Sequence, residues 1–399
     1  MTINRDPKVI EEILTRGVEE IIKKEDLEKN LLSGRVLRIK FGIDPTAPDL
    51  HIGHTVPLRK LRQFQEAGHQ TVLIIGDFTA KIGDPSGRSE TRKTLTDKEI
   101  KINLKKYLDQ AGKILDLKKT EVRYNSEWFK NEPASKLFDI AGSGTFQQMM
   151  HRADFKKRIK NNQDITVAEM IYPLLQGYDS VMVKADVEIG GTDQKFNLLM
   201  GRQVQRKHNQ NEQNILMTPI LEGLDGVKKM SKSYGNYIAL DDEPKVMLGK
   251  IMTLPDNLIN KYFNLCTNMS SEEILDYEKR FKSGENPRDL KLILALEIVK
   301  IYHGEKKAKE AEDYFIKTFQ KKEIPEEIEV LKIKKGGKLI DFLTDKKILP
   351  SKSEFRRLVQ EKGLHNLSTN ETIEDPYYAP QNDFVLKIGK KKFYRIKIK

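Results

Sequence analysis

With 399 residues, 71 Lys+Arg against 59 Asp+Glu and a formal charge of +12, the chain is too long for one ordinary core and is biased toward a polyanionic partner. A single cysteine excludes an internal disulfide and a cysteine-based metal cluster and fits a reducing compartment, by default the cytoplasm. No apolar leader opens the sequence and no apolar run approaches about 18 residues, so neither export nor membrane insertion is expected.

In chain order, Val9, Ile10, Ile13, Leu14, Val18, Ile21 and Ile22 recur at helical spacing, so residues 6–32 are expected to form one or two amphipathic helices ending near Gly34. Leu37, Ile39 and Phe41 then alternate with Arg38 and Lys40, the period of a half-buried strand. The stretch from Phe41 to His54 breaks in a Pro-rich turn and restarts as a helix, expected from about Leu50 to Ala67 with Asp49 as its cap and Gly68 as its terminator. The turn brings Thr46, His51 and His54 to a helix N-terminus, where backbone N–H groups favour an anion such as phosphate. Gly53 costs about 1 kcal/mol of helix stability against Ala, and Pro57 cannot donate to its carbonyl. A flat ring resting on bare backbone would account for that glycine; a kinked surface helix with two solvated histidines is the plainer alternative.

Thr71 to Ile75 supplies a second strand, and strand, helix, strand at these lengths predicts a parallel, doubly wound α/β sheet. A turn-rich connection from Gly76 to Arg88 follows at the carboxyl end of that strand, where such sheets bind ligands. It carries Asp77 and Asp84 and runs into the basic cluster Arg88, Arg92 and Lys93, which could equally be a solvated loop. Residues 97–117 read as helix, Glu121–Tyr124 as strand, and 126–165 as mostly helix inserted between two sheet halves. In the helix expected over Glu169–Met182, Tyr172, Gln176 and Asp179 share one face, either a surface stripe or a pocket wall able to hold an amine or a hydroxyl.

Val187–Ile189, the turn Gly190-Gly191-Thr192-Asp193-Gln194 and a helix to about Gln205 repeat the first design, with Thr192 as the expected N-cap. After a strand at Ile215–Met217, the turn Gly223–Gly226 opens onto Val227-Lys228-Lys229-Met230-Ser231-Lys232-Ser233. Such a loop is either solvated or supplies mobile charges for a triphosphate. Residues 241–323 read as charged helices, and a linker precedes a basic tail: residues 332–399 hold 17 Lys/Arg and 8 Asp/Glu, or +9 of the total charge.

These motifs resemble the two signatures of class I aminoacyl-tRNA synthetases: His51-Ile52-Gly53-His54 after the first strand, and Lys229-Met230-Ser231-Lys232-Ser233 after the last. Within the class the chain is similar to bacterial tyrosyl-tRNA synthetases, in Asp44 to Leu50, Ile82 to Gly87, Tyr172 to Asp179 and Gly190 to Gln194. The run from Gly337 to Lys399 resembles an S4 RNA-binding domain, notably Ser351 to Leu358. The resemblance implies a Rossmann-type parallel-sheet catalytic domain over 36–240, preceded by N-terminal helices (1–35) and interrupted by an insertion at about 125–185. It also implies a helical tRNA-contacting domain over 241–324, a linker over 325–337 and a small α+β S4-like domain over 338–399.

It further implies that L-tyrosine is activated by ATP with Mg²⁺ and passed to the 3′ end of tRNA(Tyr) by a cytoplasmic homodimer with no resident metal. Thr46 and His51 would meet the γ-phosphate side. Gly42, Asp44, Gly53, His54, Gly191, Asp193, Met230 and Ser231 would line the ATP site. Lys229, Lys232, Arg88 and Arg92 would neutralise pyrophosphate. Gln194 would hold the tyrosine carboxylate; Asp84, Tyr172 and Gln176 its ammonium; and Asp179 its phenol. Lys40 stands where the best-known members carry a tyrosine that also contacts the phenol, and it is counted with the tyrosine-facing residues. Lys352, Arg356 and Arg357 would contact RNA. Tryptophanyl-tRNA synthetase and a structured-RNA-binding protein on a synthetase core are the alternatives.

Overall fold

The computed structural model describes residues 3–46, 49–86, 95–320, 328–369, 371–389 and 392–399. They form two compact units, Met1–Ala311 and Glu312–Lys399. The first is built on six strands: β1 (Glu20–Ile22), β2 (Arg38–Ile43), β3 (Gln70–Ile75), β4 (Thr120–Tyr124), β5 (Val187–Gly191) and β6 (Asn214–Thr218). Their order is β1-β6-β5-β2-β3-β4, with β2 to β6 parallel and β1 antiparallel to β6. β3 is buried from Thr71 to Ile75 on both its alternating faces, as a sheet covered on both sides requires. Residues 20–22 were expected in a helix. They instead pair Glu20 with Met217 and Ile22 with Ile215, because the otherwise open edge of β6 offers backbone partners that a helix could not use.

The helix after β2 runs Ile52–Glu66. His51, in extended backbone, takes the cap position expected for Asp49, which lies two residues earlier and faces Lys232 and Lys106 instead. The insertion folds as four short helices, Ser126–Phe129, Ala134–Ala141, Phe146–Met150 and Ala153–Lys160. A longer helix, Val167–Val183, follows; Thr166 and Glu169 cap it reciprocally, and the buried Arg158 pairs with Glu169 at 2.7 Å. After β5, a short turn at Thr192–Gln194 leads into Lys195–Lys207, with Gln194 rather than Thr192 at the cap position. Helices Pro244–Ile251, Ile259–Cys266, Ser271–Lys282 and Pro287–His303 follow in this unit.

The second unit has β7 (Glu329–Ile333), β8 (Leu364–Asn366), β9 (Glu371–Thr372), β10 (Phe384–Ile388) and β11 (Lys392–Ile398), in the order β7-β11-β10-β8-β9. Helices Leu339–Asp345 and Lys352–Gln360 cover its core of Leu339, Phe355, Leu364, Leu386 and Ile396. Residues 329–333, expected in a linker, are therefore a strand parallel to β11, with Leu331 and Ile333 turned into the core and Lys332 between them exposed. In a lysine-rich stretch that two-residue alternation was too short to stand out.

Candidate active site

The chain lays β3 and β4 on one side of β2, and β5 and β6 on the other. The order therefore reverses at the β2/β5 boundary, where α/β sheets bind ligands beyond the carboxyl ends of their strands. A crevice of about 390 Å³ lies there, lined by Asp44 after β2, Thr79 after β3, and Gly191, Asp193 and Gln194 from the end of β5 onward. A larger groove of about 700 Å³ lies on the outer face of Ile52–Glu66, beside Ile13, Arg16 and Asn264. Its lining comes from helices and loops away from the strand ends, so the smaller crevice, where several perturbed titratable groups converge, is the candidate site.

One end of the crevice is built by both signatures. The His51 N–H donates to His54 Nδ1 at 3.2 Å, and the two imidazoles lie 3.7 Å apart at 31°. A Cβ on Gly53 would sit 3.1 Å from the His51 ring and 3.5 Å from Met230 Cβ, so the missing side chain is space taken by that ring. Burial pushes both imidazoles down, His51 to about 2 and His54 to about 4, with the charges of Lys232 and Lys229 adding to the effect. Both are neutral at pH 7, and His51 Nδ1 is buried without a partner among the described residues. Positive charge here comes from the loop. Lys232 reaches Asp49 at 3.1 Å and Lys229 reaches Asp193 at 3.5 Å. Burial raises the Asp193 carboxyl against the pull of Lys229.

The loop is fixed from behind. Asn236 Nδ2 donates to Asp225 and to the carbonyls of Lys228 and Lys229, and its Oδ1 accepts from the Ser231 N–H at 2.8 Å. The segment after the loop joins the first signature directly. Ile52 N–H donates to Ile238 O, and Leu240 N–H to Leu50 O, each at 3.0 Å. Thr46, Gly42 and Ser231 also line this end.

The other end is acidic. Asp44 accepts from Thr79 Oγ1 at 2.8 Å and from the Tyr172 hydroxyl at 2.9 Å. Gly76 must lack a side chain because a Cβ would fall 2.0 Å from Asp44 Oδ1. Gln194 donates to Asp84 at 2.6 Å, and Asn197 Nδ2 lies 2.9–3.3 Å from Gln194 Oε1, Gln176 Oε1 and Asp84 Oδ1. Arg152 in turn donates to Asn197 Oδ1 at 2.7 Å. Tyr172, Gln176 and Asp179 line one side of the crevice, the pocket-wall alternative of the two their spacing left open. Asp179 accepts from Trp128 Nε1 at 2.9 Å and Asn125 Nδ2 at 3.5 Å. Burial raises its carboxyl to about 7, against the charge of Lys40 and those two donors.

Lys40 stands apart from the other residues read as tyrosine-facing. It is 0% exposed, and its ammonium donates to Gln176 O, Ser180 Oγ and Glu188 Oε1 at 2.7–2.9 Å, which leaves it no hydrogen for a ligand. Arg88, Arg92 and Lys93 lie outside the described residues. Asn197, Arg152, Trp128, Asn125 and Asn236 are not among the residues singled out from the sequence. Trp128 and Asn125 reach Asp179 from a distant segment, Arg152 reaches Asn197, and Asn197 reaches Gln176 and Asp84, whereas Asn236 braces a loop that ends only three residues before it. In the second unit Lys352, Arg356 and Arg357 sit exposed on Lys352–Gln360, with Phe355 and Val359 inward. Lys352 pairs with Asp341 at 2.6 Å, and Arg357 pairs with Glu354 and Glu361.

A sequence model of the family described as tRNA synthetases class I (W and Y) matches residues 32–320. The chain is 49% identical over 387 residues to the tyrosine–tRNA ligase of Thermotoga maritima, covering 96% of each sequence. It is 46% identical over 401 residues to that of Carboxydothermus hydrogenoformans, covering 96% of this chain and 97% of the relative. Its backbone is similar to a C-terminally truncated mitochondrial tyrosyl-tRNA synthetase of Aspergillus nidulans, with TM-score 0.67, 21% identity and coverage of 78% and 94%. It is also similar to tyrosyl-tRNA synthetase from Archaeoglobus fulgidus complexed with L-tyrosine, with TM-score 0.62, 24% identity and coverage of 76% and 99%. At these identities the solved structures bear on the fold alone.

Proposed function

The chain belongs to the class I tRNA synthetases for tryptophan and tyrosine, and from that premise we infer that it is a tyrosine–tRNA ligase. Its relatives over nearly the full length are named for tyrosine, which disfavours the tryptophan reading. A tyrosine carboxylate oxygen attacks the α-phosphorus of ATP as the bond to pyrophosphate breaks. The terminal ribose hydroxyl of the tRNA then takes the acyl group and AMP leaves. The carboxylate is already a nucleophile, so the chain's part is positioning and charge stabilisation.

The observation that carries the reading is the wall of Tyr172, Gln176 and Asp179. Seven residues of helix separate its ends by about 10 Å, the scale of a tyrosine hydrogen-bonded at both termini. Asp84, Tyr172 and Gln176 Oε1 suit an ammonium, Gln194 the carboxylate, and Asp179 the phenol. Thr46, His51, Gly53 and His54 would cradle the nucleotide, with neutral imidazoles donating N–H, while Asp193 holds the ribose. Lys229 and Lys232 would exchange their carboxylate partners for phosphate oxygens, with Arg88 and Arg92 joining them. Among the described residues no group of three or more His, Cys, Asp or Glu side chains is placed to hold a metal; magnesium would arrive on the ATP phosphates.

In the insertion, Phe138 (76% exposed), Phe146 (64%) and Val167 (71%) leave apolar surface that fits a homodimer. Exposed Arg356 fits tRNA contact by the tail, and the absence of a long, apolar helix among the described residues fits a cytoplasmic enzyme. The test is ATP–pyrophosphate exchange with each protein amino acid in turn. Tyrosine should lead, and exchange led by tryptophan would overturn the assignment.

A further inference from the structure

We propose that Lys40 is a positioning residue for tyrosine recognition: its buried ammonium braces the turn of helix that carries Gln176 and Asp179 and supplies the positive charge beside which Asp179 ionises. The proposal rests on the reading of Asp179 as the phenol's acceptor.

Lys40 points from β2 into the underside of that turn. Its acceptors Gln176 O (2.9 Å) and Ser180 Oγ (2.7 Å) bracket Asp179 in the sequence, and the third, Glu188 Oε1 (2.8 Å), comes from β5. Glu188, 1% exposed, also accepts from Gln176 Nε2 at 3.1 Å, from Ser180 Oγ at 3.2 Å and from Gln213 Nε2. The pair thereby turns the Gln176 amide nitrogen away, leaving its oxygen toward Asn197 and the crevice. Burying an ion pair costs desolvation that apolar side chains of like size would avoid. Placed directly behind the pocket wall, this one serves the pocket.

The groups acting on Asp179 are Trp128 and Asn125 from the segment after β4, Lys40 from β2, Glu188 from β5 and Tyr172 from its own helix; Lys40 is the cation among them. Burial raises Asp179 to about 7, Lys40 opposes that rise, and Glu188 adds to it more weakly than Lys40 opposes it. Above that pH a charged carboxylate accepts the phenol, and below it a protonated one holds the phenol less well. Tyrosine binding should therefore weaken as pH falls through this range, while phenylalanine, lacking the hydroxyl, should not respond. Removing the Lys40 charge moves the change to higher pH.

The experiment measures KM for tyrosine and phenylalanine in pyrophosphate exchange from about pH 6 to about pH 9, in wild type, Lys40→Met/Glu188→Gln and Asp179→Asn. In the double variant the acid-side rise in tyrosine KM should begin about one pH unit higher, giving about fivefold weaker tyrosine binding at pH 7 beyond any change shared with phenylalanine. If that variant does not fold, Lys40→Met alone, with Glu188 free to take up a proton, should show the same displacement. A folded variant whose tyrosine profile stays in place overturns the proposal. So does one that loses both amino acids equally at every pH, the mark of a purely structural lysine. Asp179→Asn should abolish the pH dependence, and if the dependence persists there, the reading of Asp179 fails instead.

Discussion

The crevice of the first unit and the helix Lys352–Gln360 of the second handle charge in opposite ways. In the crevice, Asp179 is 4% exposed and held by an indole and an amide, so its protonation state is set by burial and by one lysine behind it. On the second unit's helix Lys352, Arg356 and Arg357 stand in solvent, and among the described residues Lys352 pairs with Asp341 and Arg357 with Glu354 and Glu361. A buried carboxylate whose partner is missing loses free energy it cannot recover from water, so it discriminates between ligands. An exposed arginine exchanges partners freely and contributes attraction without choice.

The strongest way to break this comparison lies between the two extremes, in the half-exposed loop lysines. Lys232→Ala or Lys229→Ala should slow adenylate formation by about 10² to 10³, the scale of one preorganised electrostatic contact, with tyrosine affinity nearly unchanged. Pre-steady-state rates within a few-fold of wild type, with tyrosine affinity lost, would make the loop a binding element. A smaller effect is expected in the tail. Removing residues 321–399 should leave pyrophosphate exchange intact but depress tRNA charging by about tenfold or more at about 0.15 M salt, through loss of a few phosphate contacts. A cut at residue 331 would sever β7 and leave half a strand behind, so the earlier boundary is the informative one. The smallest effect separates two adjacent arginines. Arg356, with no ion pair to a described residue, should reduce the salt dependence of charging by about one when changed to Ala. Arg357, engaged by Glu354 and Glu361, should alter charging by no more than about twofold, with Tm unchanged. Equal effects at both positions would show that those ion pairs open as readily as the free side chain moves.

Much of the catalytic unit was legible because its signals are local. Alternation at Leu37, Ile39 and Phe41 announced β2, and the i, i+4, i+7 spacing of Tyr172, Gln176 and Asp179 put them on one helical face, which the structure turns to the crevice. At Gly53 the ring beside the bare backbone is the chain's own His51. What escaped was non-local. β1 exists because β6 has a free edge, His51 displaces Asp49 as cap because two lysines occupy Asp49, and Lys40 is settled by Glu188 across the strand boundary. β7 was hidden because only Leu331 and Ile333, with Lys332 between them, show its alternation.

The hydrogen bonds joining Leu50 and Ile52 to Ile238 and Leu240 also bear on how the enzyme comes into being. They close a loop spanning most of the first unit's sequence, and the chain entropy lost in closing it must be offset by packing formed beforehand. The end of the crevice that holds both histidines is therefore expected to complete late in folding. A growing chain displays both histidines long before it has the strand segment that holds their helix start, and catalytic competence arrives only when nearly the whole sheet has been made.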